Sequence, residues 1–180
     1  MMSVELETLK DLVSRLEAAG IEYMLTGSMA LNCYAQPRMT RDLDLVVAFV
    51  LRDAVRIEEV LGPEYYVSVE AAKEAVLNQS SFNAIHQTQL VKADFMIRKR
   101  EEYRLVEFER RARLKVAEFE AWVVSKEDLI LSKLEWARES HSQRQLADVE
   151  NLLATGCDME YVKLWSAKLN LTDMLIRVSP

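Results

Sequence analysis

The amino-acid sequence predicts an α/β (α+β) fold in which helices flank a mixed β-sheet. Apolar residues recur with helical spacing over residues 3–19, and Gly20 follows as a stop signal. Strand-like runs then alternate with helical patterns up to residue 124, and the remainder is helical in pattern. These observations predict a core domain over residues 1–124 and a helical C-terminal subdomain over residues 125–180 that packs on it.

Composition limits the kinds of protein this can be. The chain has 180 residues, half of them hydrophobic, which suffices for one domain with a buried core. Its net charge of −6 gives no general attraction for nucleic acid, so such a partner would need a local basic patch. Cys33 and Cys157 lack metal-type spacing, which predicts free thiols in a reducing compartment. No segment resembles a signal peptide or reaches transmembrane length, so we expect a cytoplasmic protein with no membrane partner.

A strand followed by a glycine turn begins the chemically informative region. Glu22–Leu25 predicts a strand that stops at Gly27-Ser28 and continues as a helix to about Ala35, where Pro37 ends it. Glycine allows the backbone to approach a phosphate closely, and a helix N-terminus offers free N–H groups. Such a turn is common as a simple helix cap, so its meaning depends on the residues that come after it.

Two carboxylates follow on the next predicted strand, which runs to about Phe49. Asp42 and Asp44 are two residues apart, so they project from the same face of that strand, while Leu43 and Leu45 point into the core. Neighbouring carboxylates repel each other, and a divalent cation removes that repulsion. Mg²⁺ prefers oxygen ligands and is commonly bound by one or two carboxylates together with substrate phosphates. The pair therefore predicts a Mg²⁺ (or Mn²⁺) site.

A third carboxylate lies on a later predicted strand. The elements expected after residue 50 are a helix over Arg52–Leu61, a strand over Tyr65–Val69, a helix over Glu70–Leu77, a hairpin of Ser81–His86 and Leu90–Arg98, a helix over Glu101–Arg111, and one or two strands over Leu114–Val124. Asp94 interrupts the apolar pattern of the second hairpin strand. It either faces solvent or joins Asp42 and Asp44.

The spacing of these features resembles a known family signature. Gly27-Ser28, thirteen residues and then Asp42-Leu43-Asp44 is similar to the pattern of the nucleotidyltransferase superfamily, which has the DNA-polymerase-beta-like fold. Within it, the chain resembles the minimal nucleotidyltransferases of the abortive-infection (AbiEii-like), type IV toxin branch. The resemblance extends from about Ile21 to about Leu153. It implies a nucleotidyltransferase fold and transfer of a nucleoside monophosphate from a nucleoside triphosphate to an acceptor hydroxyl.

The resemblance also implies roles for individual residues. Asp94 would be the third catalytic and metal-binding carboxylate, with Gly27 and Ser28 holding the triphosphate. Lys133, in the segment Glu-Asp-Leu-Ile-x-x-Lys-Leu, would meet the nucleotide phosphates, and Asp148 would position that lysine or the site. Two arginines just before the Asp-x-Asp pair, Arg38 and Arg41, suit phosphate oxygens but are equally compatible with a solvated loop.

The acceptor is less constrained. Resemblance to the toxin branch implies a toxin that modifies tRNA 3′ ends and has a cognate antitoxin, but the superfamily also contains enzymes that modify antibiotics and proteins. Basic residues cluster over residues 98–115, although interspersed glutamates are more typical of a solvated face. The competing hypothesis is a non-catalytic module of the same fold that binds a nucleotide or a partner.

Overall fold

A computed structural model describes residues 2–179. Met1, where the predicted core domain begins, and Pro180, where the predicted C-terminal subdomain ends, lie outside the described residues. Within this range there is one seven-stranded sheet and ten helices. The strands are β1 (Tyr23–Thr26), β2 (Asp42–Val47), β3 (Tyr65–Val67), β4 (Ser81–His86), β5 (Lys92–Ile97), β6 (Ala112–Val116) and β7 (Phe119–Val123). The helices are α1 (Val4–Ala18), α2 (Gly27–Leu31), α3 (Leu51–Val55), α4 (Ile57–Leu61), α5 (Val69–Asn78), α6 (Glu102–Glu109), α7 (Lys126–Ser140), α8 (Gln143–Ala154), α9 (Met159–Lys168) and α10 (Thr172–Val178).

The sheet is mixed, as expected from the sequence. Its strand order is β3-β4-β5-β2-β1-β7-β6, with β2 parallel to β5 and antiparallel to β1. Along β2 the side chains of Leu43, Leu45 and Val47 are fully buried, whereas Asp42 and Asp44 face the other side and are at least partly exposed. One face of β2 and β5 therefore builds the core, and their opposite face remains open for polar side chains.

Two predicted helices differ from those observed. The helix after the glycine turn ends at Leu31 rather than near Ala35, because the following N–H groups of Cys33 and Tyr34 bond to carbonyls only three residues back. The predicted helix over Arg52–Leu61 is two short helices, which meet at Arg56 with φ of −94° and ψ of 2°. Both differences arise from local turns that hydrophobic spacing does not reveal.

Helix α7 supplies the wall opposite the open face of the sheet. It begins as predicted, because the Ser125 hydroxyl caps it by accepting a hydrogen bond from the Asp128 N–H. Leu129, Ile130 and Leu131 are buried, and the helix packs against α2, α8 and α9. None of the helices in residues 2–179 combines the length and apolar character needed to span a membrane.

Candidate active site

The carboxylates of Asp44 and Asp94 are brought side by side by strand pairing. In the parallel ladder of β2 and β5 the two residues are direct partners, and Asp42 pairs in the same way with Lys92. All four side chains therefore project from the open face of the sheet. Burial, reinforced by the charges of Asp94 and Asp42, raises the pKa of Asp44 from its ordinary value of 3.8 to about 6. The site thus concentrates negative charge, which favours a bound cation.

Gly27 makes room for the Asp44 carboxyl group. It begins α2 directly after β1 and has a φ of +64°, a conformation that glycine adopts readily and other residues rarely do. A Cβ atom added at Gly27 would lie 2.7 Å from Cγ of Asp44. The glycine is therefore required both by backbone conformation and by the carboxylate that packs on it.

Lys133 and Asp148 form a buried ion pair beside these carboxylates. The Lys133 Nζ lies 2.7 Å from Oδ2 of Asp148 and donates a second hydrogen bond to Oε1 of Gln145 at 3.0 Å. Burial lowers the pKa of Lys133, partly offset by its bond to Asp148 and by the charge of Asp44. Although burial acts in the opposite direction, hydrogen bonds from Arg38 and Lys133 hold the pKa of Asp148 below its ordinary value.

Arg38 connects the glycine turn to this ion pair. Its guanidinium donates to both carboxylate oxygens of Asp148, at 2.8 and 2.7 Å, and to the Ser28 hydroxyl at 2.5 Å. Asn32 fixes the loop by exchanging two hydrogen bonds with the Arg38 backbone. Ser28 and Asp148 thus belong to one network, joined by one of the two arginines that the sequence offered for phosphate binding.

A cleft of about 630 Å³ lies between the open face of the sheet and α7. Four of the predicted site residues line it: Gly27, Asp44, Asp94 and Lys133. The rest of its lining includes side chains of α7 and residues that come after β5, among them Ser132, Glu135, Trp136, Glu139, Arg98 and Lys99. A cavity of this size accommodates a nucleotide or a drug-sized molecule.

Arg41 is not drawn into this arrangement. Its side chain is exposed and makes no hydrogen bond or ion pair with any described residue. It immediately precedes Asp42, and strand alternation favours opposite directions for neighbouring side chains. The sequence contained a signal for arginine near the Asp-x-Asp pair, but it could not distinguish Arg38 from Arg41.

Comparisons with solved structures identify the architecture. The antibiotic-resistance factor ANT(2'')-Ia superposes with a TM-score of 0.62 at 12% identity, covering 98% of this chain and 97% of that one. An antigenic nucleotidyltransferase-like protein from Paracoccidioides brasiliensis gives 0.58 at 18% identity, with coverages of 86% and 77%. The lincosamide antibiotic adenylyltransferase LnuA, bound to lincomycin, gives 0.51 at 16% identity, with coverages of 84% and 96%. The chain has the nucleotidyltransferase fold.

This result confirms the predicted fold class. No protein-family profile matches the chain, and no curated protein sequence is significantly similar to it. At 12–18% identity the structural likeness concerns the fold, and the AbiEii-like branch stays a prediction.

The divalent metal that this fold implies can be tested against the residues present. Asp42, Asp44 and Asp94 offer the oxygen donors that Mg²⁺ prefers. The raised pKa of Asp44 reflects burial and the neighbouring carboxylates, and a cation would offset both. In the described part of the chain, no group of three or more acidic, histidine or cysteine side chains has the geometry to coordinate one metal ion. Because Mg²⁺ commonly takes only one or two carboxylates plus phosphates, the Asp42–Asp44 pair fits it.

Proposed function

We propose that the protein is a Mg²⁺-dependent nucleotidyltransferase, which transfers a nucleoside monophosphate from a nucleoside triphosphate to an acceptor hydroxyl. The observation that carries this proposal is the placement of the Asp44–Asp94 register pair opposite the buried Lys133, across one cleft. A purely structural role does not require like charges on adjacent strands, because their repulsion destabilises the fold. A phosphate-transfer site requires both the carboxylates and an opposing cation.

The network around Asp148 prepares the triphosphate end of the site. Arg38 donates to the Ser28 oxygen, which leaves the Ser28 hydroxyl hydrogen free to donate to a phosphate oxygen. Lys133 has three donor hydrogens, and Asp148 and Gln145 accept two of them. The third hydrogen is left to donate to a phosphate oxygen in the cleft, which Lys133 lines. Ser28, Lys133 and Gly27 would thus orient the triphosphate without large rearrangement.

The carboxylates act at the reacting end. Mg²⁺ held by Asp42 and Asp44 would supply charge neutralisation at the phosphates. Asp94, on the neighbouring strand, accepts the proton of the acceptor hydroxyl. The hydroxyl oxygen forms a bond to the α-phosphorus as the bond from that phosphorus to the bridging oxygen breaks, and pyrophosphate leaves. Most of the rate enhancement comes from positioning and charge stabilisation.

For the acceptor, two observations favour a small hydroxyl-bearing molecule. The cleft has the volume of a drug-sized site, and two fold neighbours are described as an antibiotic-resistance factor and a lincosamide antibiotic adenylyltransferase. Half of the eight basic residues in the predicted basic region, residues 98–115, are already paired within this chain. Four of its arginines form ion pairs with acidic residues of this chain: Arg104, Arg110, Arg111 and Arg113.

Transfer to a tRNA 3′ end is the second candidate, and it rests on the resemblance to the toxin branch and on Arg98 and Lys99 at the cleft. Both side chains line the cleft, and cationic side chains of this kind bind RNA phosphates. A tRNA acceptor would bring with it the predicted toxin activity and a cognate antitoxin.

Label transfer separates these possibilities. The protein is incubated with each α-labelled nucleoside triphosphate, Mg²⁺ and, in separate reactions, total tRNA, aminoglycosides or lincosamides, with Asp44→Asn as the control. Label on an antibiotic that is absent with Asp44→Asn supports the small-molecule acceptor, and label on tRNA supports the second candidate. Label on the protein itself would indicate a protein acceptor. Mg²⁺-dependent nucleotide binding without pyrophosphate release in any reaction would contradict transfer and favour the binding module.

A further inference from the structure

Lys92 lies within the carboxylate cluster itself. It is the register partner of Asp42 across the parallel strands and stands two residues before Asp94 on the same face of β5. Its Nζ is 2.7 Å from Oδ2 of Asp94 and 4.0 Å from Oδ1 of Asp42. The ammonium group therefore contacts a carboxylate on its own strand and approaches one on the neighbouring strand.

Strand pairing holds the backbone of Lys92 beside the carboxylates. Lys92 begins β5 and its Cα is paired with that of Asp42, while its side chain is 43% exposed. Its only close ion-pair partners among the described residues are Asp42 and Asp94. Lys133, which also lines the cleft, is already engaged by Asp148 in the buried pair. Lys92 is thus the cation available to the Asp94 side of the cluster.

An ammonium group in contact with Asp94 affects how many metal ions the cluster can hold. Two-metal sites place their ions about 3.5–4 Å apart and need carboxylates shared between them. Here the Asp94 carboxylate already has a cation within hydrogen-bond distance, and a second divalent ion beside it would be repelled by Lys92. A lysine that neutralises Asp94 while leaving Asp42 and Asp44 as the remaining oxygen donors is suited to a single-metal site.

We propose that Lys92 takes the place of a second metal ion: its ammonium group neutralises and positions Asp94, so that the cluster binds one divalent cation. This inference rests on the proposed function, since it concerns the metal content of the same site. Lys92 is a positioning residue in this account, because it acts through Asp94. Arginine, which keeps the charge, should replace it more successfully than an uncharged residue.

Counting bound Mn²⁺ tests the proposal without measuring activity. The full chain is titrated with Mn²⁺ alone, and free Mn²⁺ is followed by its electron paramagnetic resonance signal. Wild type and Lys92→Arg should each bind one Mn²⁺. Lys92→Gln should bind a second ion, or bind the first at least about tenfold more tightly, because a repelling charge has been removed.

Matched variants make the result specific. Lys73→Gln removes the same charge from another lysine–carboxylate contact, the 2.9 Å pair of Lys73 with Glu70 on the surface, and should bind Mn²⁺ as wild type does. Asp44→Asn in the Lys92→Gln background should lose Mn²⁺, which locates the ions at the cluster. Two ions bound by wild type, or unchanged binding by Lys92→Gln, would overturn the role of Lys92 and leave the proposed function standing. No Mn²⁺ bound by wild type or Lys92→Gln would contradict both.

Discussion

The Lys133 ammonium group lies 2.7 Å from the Asp148 carboxylate, and neither side chain is more than 5% exposed. A buried charge is costly unless it is paired, so each residue depends on the other for its ionised state. The dependence is unequal, because Asp148 has a second partner. Arg38 donates two hydrogen bonds to the same carboxylate, whereas the only other acceptor bonded to Lys133 among the described residues is the amide of Gln145.

This asymmetry predicts different stabilities for the two single variants. Asp148→Asn should lower the free energy of unfolding by about 3–5 kcal/mol, because it leaves two cations without their carboxylate. Lys133→Met should cost less, since Asp148 keeps the Arg38 guanidinium. Urea unfolding of both variants provides the measurement. Equal losses, or a larger loss for Lys133→Met, would contradict the assignment of Asp148 as the centre of the network.

Arg38 should matter more for nucleotide binding than Arg41. Arg38→Gln removes the bonds that hold Ser28 and Asp148, and charge-assisted bonds of this kind contribute enough to raise the KM for the triphosphate roughly 10- to 100-fold. Arg41→Gln makes the same chemical change on an exposed side chain and should alter KM by about twofold at most. Steady-state kinetics of both variants give the comparison. A larger effect at Arg41 would support its predicted role and assign Arg38 to structure alone.

Gly27→Ala should abolish activity through Asp44. The new Cβ would lie 2.7 Å from Cγ of Asp44, so the carboxylate must move, and a displacement of about 1 Å can cost about 100-fold in rate. Gly156→Ala is the matched control, because Gly156 has a similar φ of +75° and nothing within 4 Å of the added atom. Both variants should lose about 1 kcal/mol of stability from backbone strain. Comparable activity in the two variants would mean that Asp44 has no fixed position to lose.

The raised pKa of Asp44 predicts a pH-dependent penalty in metal-free protein. Between its ordinary value of 3.8 and about 6, the folded state binds the proton more strongly than the unfolded chain, so stability falls as pH rises through that interval. Asp44→Asn lacks this penalty. In the presence of a chelator it should melt a few degrees above wild type at pH 7.5 and close to wild type near pH 4.

Thermal melts across this pH range test the assignment of the penalty. Excess Mg²⁺ should raise the melting temperature of wild type at pH 7.5 and leave Asp44→Asn nearly unchanged, since ligands stabilise the state that binds them. If the melting temperatures of wild type and Asp44→Asn differ by the same amount at pH 4 and at pH 7.5, the difference does not arise from the charge of Asp44.

Much of the arrangement arises from alternation along single strands. Because side chains alternate between the two faces of a strand, the sequence alone placed Asp42 and Asp44 on one face and marked Asp94 as a polar residue in an apolar strand. The pairing of β2 with β5 then sets Asp44 beside Asp94. The buried position of Lys133 was likewise readable from the apolar helix around it. These features depend on local spacing, which the sequence contains directly.

The features that the sequence did not reveal depend on loops and on pairing between strands. Arg38 and Arg41 are equivalent as residue types, and only the exchange of hydrogen bonds with Asn32 brings Arg38 to the site. The role of Lys92 requires knowing that β5 lies beside β2 in this register. The assigned roles of the site residues, the division of the chain at residue 124 and the cytoplasmic location stay predictions.

The measurement that tests the central claim most directly is Mg²⁺-dependent release of pyrophosphate from nucleoside triphosphate, in the presence of tRNA and antibiotic acceptors. Wild type is compared with Asp42→Asn and Asp44→Asn, after circular dichroism has shown that all three are folded. The account predicts release by wild type and a loss of at least about 100-fold in each variant. Near-wild-type release by either folded variant would contradict the assignment of these carboxylates as the catalytic centre.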